Sequence, residues 1–522
     1  LRDNLYKKFG TNFTSSYSNK GVLKFPLELS FPLDSEGTIL YQDFFFQLKE
    51  DFRFHVFLDL TLYEEKGERF LYHQFLNLDV HFQLQVIVPI KDSLFIPSLK
   101  ELWKGADSLE SEITTHNKIA ISDGQKTEQR RLLNQMEKES NPYEIPSIPN
   151  YESPVKPTGP QKRKQWHRFG PEGFPFGGKA RGDFLLAENR IFDSKIYHGF
   201  HFRNFEEKAK NKDIDQMTLF FERLTVRDSV FAPLLWIETL EKHFQVDVPD
   251  KAKAMRMVWM ELARVECHLN FLWELTHSMG FMVEASVFWE LLEQIYHLYN
   301  LHSGKVQNFS LFEIGGMKKM APLGWGTETL ETAKYLHKVI EEMEGELKRN
   351  PRFMETTKGF PMSAVKALDF GITGPNLRAC GVNFDVRKTQ PSYFYDDVDF
   401  EVPLGIDGTT YDRFLVRLEE LKQSLRIINQ VLDHLPAGNI NQPELPSFHY
   451  DTLESFTTIE CSEGLLGLFI KCDNDGVIQH LHLRSASLAH LGSYSDLIHG
   501  GFIEGAFTAF QSLNLDAWEM DR

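Results

Sequence analysis

Residues 249–280, "PDKAKAMRMVWMELARVECHLNFLWELTHSMG", constrain the fold more than any other stretch. Apolar residues return every three or four positions and cover a wide face, so the segment reads as a helix of the protein core. Asp250, just after Pro249, is the expected N-cap, and Gly280 the expected stop. Further long helices are expected at "TETLETAKYLHKVIEEMEGELKRN" and at "TTYDRFLVRLEELKQSLRIINQVLDHLPAG", the latter ended near Pro436 and Gly438. Helices therefore dominate from Gln216 onward, until strand-like "GLLGLFIKC" and "IQHLHLRS" appear in the tail.

Upstream the texture differs. "RFHVFLDLTLYEE", "RFLYHQFLNL" and "FQLQVIVPI" are short β-branched and aromatic runs that suit neighbouring strands. "FIPSLKELWKGADSLESEI" reads as a helix after them. Residues 122–168 hold six prolines, many charges and few large apolar side chains. They read as an extended connector, either a plain linker or a segment that wraps a partner. The expected class is α+β. A small α+β domain spans residues 1–121, a connector 122–168, and a mostly helical larger domain with peripheral β-hairpins 169–522.

Composition narrows the function classes. A net charge of −17 argues against a nucleic-acid partner. The cysteines Cys267, Cys380, Cys461 and Cys472 form no CxxC, and no HExxH occurs. No iron–sulfur cluster or structural zinc is therefore expected in this chain. No apolar run reaches the roughly 18 residues of a membrane span. The opening "LRDNLYKKFG" lacks the apolar core of a signal peptide. These features suit a cytoplasmic protein or the soluble part of a membrane complex.

Three stretches carry candidate chemistry. "GPEGFPFGGKARGDF" from Gly170 is a glycine-rich loop, suited to close backbone approach, but it fits neither phosphate-binding fingerprint. "GFHFRNFEEK" packs His201, Arg203, Glu206, Glu207 and Lys208 together, which by default marks a solvated helix start. Residues 373–405 form a long loop rich in glycine, proline, arginine and aromatics, the kind that usually has a task. Within it Arg378, Asp385, Arg387 and Lys388 are expected to form buried ion pairs that pin the loop.

That last stretch, with its surroundings, resembles the D subunit of respiratory complex I, the large quinone-site subunit of NADH–quinone oxidoreductase. "TGPNLR", "DVRK", "PSYFY", "DFEVPLG" and "GTTYDR" stand in the family's order of SGPxLR, DxRK, PYxxY, DFxVPxG and GDxYDR. The core helix matches its R-x-x-x-x-E-L-x-R-x-x-x-H-L pattern, "GGMKKMAPLGW" its G-G-V…P-x-G-W turn, and "SLNLDAWEMDR" its SLDIVFGEVDR ending. The resemblance runs from about Phe169 to Arg522. The N-terminal part resembles the C subunit more weakly, keeping Glu112 and Arg130–Arg131, whereas the family's D-x-F-G-I reads "THNKI". C and D subunits occur fused in bacteria, which suits the connector.

The resemblance implies a role for the Gly170 loop. In the family it reads G-P-Q-H-P-A-A-H-G and forms a hairpin tip reaching the quinone headgroup, beside a 4Fe-4S cluster held by a neighbouring B subunit. Here the family histidine is replaced by Gly173 or Phe174, its tyrosine by Ile214, its aspartate by Ser278, and a further histidine by Leu275. Quinone-cavity candidates are then Gly170, Pro171, Phe174, Ile214, Tyr393 and Tyr395, with Phe174 and Phe176 as stacking surfaces and Tyr393, Tyr395 and Glu172 as substitute proton donors. Arg203, Arg264 and Arg378 are expected to face the partner's cluster or anchor loops beside it. The implied activity is electron transfer from NADH, through that cluster, to quinone, coupled or not to proton translocation. The implied partners are the B-like subunit, other peripheral-arm and membrane-arm subunits, and quinone as substrate. The implied location is peripheral, on the cytoplasmic side of the bacterial inner membrane. The alternative is a non-catalytic scaffold or degenerate paralogue. A membrane-bound [NiFe] hydrogenase large subunit would need two cysteine pairs, which the chain lacks.

Overall fold

The structure is a computed structural model that describes residues 16–17, 22–26, 35–65, 67–90, 95–117, 120–121, 164–442 and 453–522. Most of the expected connector, including Arg130 and Arg131, lies outside the described residues. The chain forms two compact units of discontinuous sequence. The first runs to Phe200 and adds Val365–Ile372 and Ala489–Ala506; the second comprises His201–Ala364, Thr373–Leu488 and Phe507–Arg522.

The first unit contains a five-stranded sheet in the spatial order Ser16–Tyr17, Val22–Pro26, Phe82–Ile90, Glu68–Asn77, Val56–Glu65. Val22–Pro26 pairs parallel with Phe82–Ile90 and the other pairs are antiparallel. The three strand runs read from the sequence are thus true neighbours. Leu71–Asn77 is buried without alternation, as a strand covered on both faces should be. Phe57 stacks on Phe75 at 4.9 Å, and Phe75 meets Trp103 at 5.1 Å.

The helix expected over residues 95–113 is only half present: it occupies Ala106–Asn117, and a two-residue strand and turns precede it. Gly105 explains the break. A Cβ there would lie 2.6 Å from the carbonyl oxygen of Phe370, and its N–H donates to the Asp369 carbonyl at 2.8 Å. A second sheet, Gln165–Phe169, Arg181–Ala187 and Arg190–Tyr197, is antiparallel throughout. The last two strands are joined by Glu188 and Asn189, both left-handed at φ 51° and 63°, as a two-residue hairpin turn requires.

The second unit is built around the helix Asp250–Ser278, flanked by Met282–Ser303 and Thr410–Asp433, with Trp325–Arg349 against the last of these. Pro249, not Asp250, takes the N-cap position; Asp250 sits in the first turn, where its charge still favours the helix dipole. Gly280 does stop the helix, at φ 83° with its N–H on the His277 carbonyl at 3.0 Å. Thr409 and Asp412 form a reciprocal capping box at the start of Thr410–Asp433. The tail forms the antiparallel strands Glu454–Glu460, Leu465–Cys472 and Ile478–Arg484, followed by helices at Ala486–Ile498, Ile503–Leu513 and Ala517–Met520 that the sequence pattern did not signal. The class is α+β, as expected.

Candidate functional site

Two constellations carry the sequence-derived candidates, one in each unit. In the first unit the Gly170 loop joins Gln165–Phe169 to Arg181–Ala187 and is a hairpin tip. Gly170 has φ 79°, and a Cβ on it would stand 2.8 Å from the Ala180 carbonyl oxygen, so only glycine fits. Gly178 N–H donates to the Pro171 carbonyl at 2.7 Å and Gly177 N–H to the Gly173 carbonyl at 2.8 Å, which closes the tip on itself. Phe174 is 59% exposed at its crest, beside exposed Glu172 and Gly173. Phe176 is different: it is wholly buried beneath the tip, its ring 6.3 Å from that of Phe184. Phe176 props up the turn and does not offer a stacking face, so of the two phenylalanines only Phe174 does.

The second constellation is a buried lattice of ions. Glu261, Arg264 and His268 lie at i, i+3 and i+7 on one face of Asp250–Ser278, inside an otherwise apolar helix. Arg378, Asp385 and Arg387 come from the 373–405 loop, Glu420 from Thr410–Asp433 and Glu460 from the end of Glu454–Glu460; every one is at most 4% exposed. Arg378 donates from Nε to Glu420 at 2.6 Å, and from Nη1 to Glu460 at 2.7 Å and to the Phe384 carbonyl at 2.9 Å. Arg387 pairs with Asp385 at 2.7 Å and Glu261 at 3.3 Å. Arg264 donates to the carbonyls of Cys461 at 2.9 Å and Glu460 at 2.8 Å. The expected ion pairs that pin the loop are thus present for Arg378, Asp385 and Arg387. Lys388 instead sits 3.8 Å over the Phe400 ring.

The lattice sets its own protonation. Burial alone would raise Asp385, but the Arg387 and Arg378 guanidinium groups outweigh it and hold the carboxyl down at about 2. Burial likewise opposes Glu420 and Glu261, yet Arg378 keeps the first well below the carboxylate range and Arg264 with Arg387 lowers the second. Glu460 goes the other way, raised by burial and by Asp385 in spite of Arg378. Three guanidinium groups, those of Arg264, Arg378 and Arg387, face the four carboxyls of Glu261, Asp385, Glu420 and Glu460. Burial lowers the His268 pKa, so the ring is neutral and its Nε2–H donates to Glu420 at 3.1 Å.

The remaining candidates fall around this lattice. Tyr395 is 1% exposed and its hydroxyl donates to Glu261 at 2.6 Å. Tyr393, left-handed at φ 54°, lies 3.5 Å from Nη1 of Arg256, which is itself clasped by Glu241 at 2.8 Å. Ile214 opens the helix Ile214–Phe221 and is buried in the apolar core. Leu275 is buried in the same core, and Ser278 ends its helix with its hydroxyl on the Leu275 carbonyl at 2.8 Å. Arg264 and Arg378 are fully buried anchors of the 373–405 loop and the 460–461 backbone. Arg203 donates to the Arg223 carbonyl at 2.8 Å and to the Leu224 carbonyl, and lies 4.8 Å over Trp518. The polar run around it does start a short helix, Phe205–Ala209, with Glu207 and Lys208 exposed, but Glu206 accepts from Arg522 at 2.8 Å and from the Leu483 N–H at 3.0 Å.

A long buried helix thus carries one side of a carboxylate–guanidinium lattice, and a glycine-rich hairpin stands elsewhere in the chain. Residues 278–451 match the family model of the respiratory-chain NADH dehydrogenase 49 kDa subunit. The fused C/D subunit of the NADH-quinone oxidoreductase of Bdellovibrio bacteriovorus is 32% identical over 350 residues, which is 62% of each chain. The D subunits of the Leptospira biflexa and Carboxydothermus hydrogenoformans enzymes are each 30% identical, over 88% and 97% of their own lengths and 64% and 67% of this chain. The chain belongs to the D-subunit family of NADH-quinone oxidoreductase, which includes fused C/D chains. It spans less than two thirds of the Bdellovibrio relative.

Proposed function

We propose that the chain serves as the quinone-proximal subunit of a complex I-like NADH–quinone oxidoreductase, its residues 1–121 acting as a C-like domain. Electrons reach a quinone from NADH through a 4Fe-4S cluster held by a B-like partner, and the chain sits peripherally on the membrane with other members of the complex. The observation that supports this reading is the Gly170 hairpin, whose closed turn presents one exposed aromatic ring, Phe174, over a buried aromatic base. An aromatic crest offers a quinone ring a stacking face. It offers no proton, and reduction to the quinol consumes two electrons and two protons. Tyr393 and Tyr395 are engaged with Arg256 and Glu261, which leaves exposed Glu172 as the ionisable group on the tip. Protons then come from Glu172 or from water.

The scaffold reading has its own support in the burial of Ile214, which fills core where the resemblance implies a tyrosine. Phe174→His separates the two. The site is exposed and accepts the new side chain without repacking, and a positioned proton donor contributes ~10²–10⁴-fold. Quinone turnover of the assembled complex should rise with Phe174→His and fall with Glu172→Gln. Normal assembly with unchanged turnover and unchanged inhibitor affinity in both variants would hand the case to the scaffold.

A further inference from the structure

A second group of ionisable side chains lies outside the lattice. Asp228, Cys267 and Glu463 come from three separate segments, and one ligand atom of each lies within 4.8 Å of the other two. Their exposures are 4%, 0% and 2%. Cys267 Sγ donates to Glu463 Oε1 at 2.9 Å, and Ser462 fixes the Asp228 carboxyl through its hydroxyl at 3.0 Å and its N–H at 3.2 Å. Asn514 approaches Cys267 Sγ at 3.5 Å. None of the three has a close guanidinium partner among the described residues: Arg264 is committed to the lattice and Arg227 to Glu274.

We propose that Asp228, Cys267 and Glu463 bind one divalent transition cation such as Zn²⁺ or Fe²⁺. One thiolate and two carboxylates form the mixed sulfur–oxygen donor set that such borderline ions accept. The cation replaces the acid protons that otherwise hold the three groups together, and those protons leave to solvent as it binds. Three protein ligands leave a fourth position for water. Arg417 is wholly buried and donates to the carbonyl of Leu513, the residue before the Asn514 that meets Cys267. Its Nε has no hydrogen-bond partner among the described residues, while its other nitrogens are engaged by Arg413, Ser512, Asn376 and Leu513. A metal-bound water gives that Nε–H an acceptor. The absence of CxxC and HExxH does not bear on this site, because its ligands are assembled from distant segments.

The full-length chain is loaded with Co²⁺, desalted, and analysed for metal and for near-ultraviolet absorption. A stoichiometric cation with a thiolate-to-cobalt charge-transfer band is expected. Cys267→Ser should abolish the band, and the near-isosteric Glu463→Gln and Asp228→Asn should weaken retention at least tenfold. Cys380→Ser, a buried cysteine outside the group, should change nothing. Wild-type protein that retains no cobalt, or retains it without the thiolate band, overturns the proposal, as does equal loss in Cys380→Ser. A metal-free wild type whose protonated-carboxyl infrared band shifts in Asp228→Asn would overturn it too, and would identify the group as a proton-sharing cluster instead.

Discussion

Arg378→Leu removes the guanidinium at the centre of the buried lattice while keeping apolar volume. The loss includes hydrogen bonds to two carboxyls, Glu420 at 2.6 Å and Glu460 at 2.7 Å. Charge-assisted bonds contribute ~1.5–3 kcal/mol each, which gives ~3–6 kcal/mol. Removal of one partner from a buried ion pair costs ~3–5 kcal/mol by a separate route, because the orphaned charge stays buried. A destabilisation of ~4 kcal/mol is therefore expected, read as a lower urea midpoint at unchanged slope. Its pH dependence carries a sign. Glu420 and Glu460 without Arg378 bind protons more tightly folded than unfolded, so the deficit should shrink on acidification and grow as pH rises. Adding Glu460→Gln, which removes one orphaned charge, should recover part of the loss. A deficit under ~1 kcal/mol, flat with pH, would refute the view that these ions hold one another in place.

Burial lowers the His73 pKa to about 3, against hydrogen bonds from its ring to the Val86 and Leu71 backbone that raise it. The folded value lies below the unfolded one, so this stability is present above about pH 6.5 and is lost as pH falls toward 3; His73→Gln should flatten that acid limb in a thermal-melt series. Gly374→Ala should destabilise by at least ~1–3 kcal/mol in urea unfolding, since φ is 67° and the new Cβ would stand 2.3 Å from Gly464 Cα. Thr409→Ala should cost ~1 kcal/mol through loss of the capping box, and Thr409→Ser should restore it.

The sequence was most informative where structure is decided locally. The β-branched runs of the N-terminal part became adjacent strands, and the three-and-four spacing of residues 250–278 became the central helix. It failed where a distant segment decides. The helix expected from Phe95 is cut at Gly105 by the approach of Phe370, and Glu206 is paired with Arg522 from the far end of the chain. The arginines and Asp385 of the 373–405 loop were legible as a pinning group, because a loop so poor in aliphatic side chains needs polar anchors. Their partners Glu261, Glu420 and Glu460 were not, since each lies on another element and only the fold brings them to one point. A charged triple at i, i+3 and i+7 inside an apolar helix was the available signal.

The first unit borrows its closing pieces from far downstream, and this bears on its birth at the ribosome. Arg190 and Gly500, joined by a side-chain bond, are 310 residues apart in sequence, and Ile191 exchanges backbone bonds with Gly500 and Gly501 at 2.9 Å. Lys49 meets Asp369 at 2.8 Å and Lys104 meets Asp496 at 3.0 Å. Translation therefore delivers the body of this unit early and its seam last. For most of synthesis the strand Arg190–Tyr197 therefore waits without the backbone partners that Gly500 and Gly501 supply.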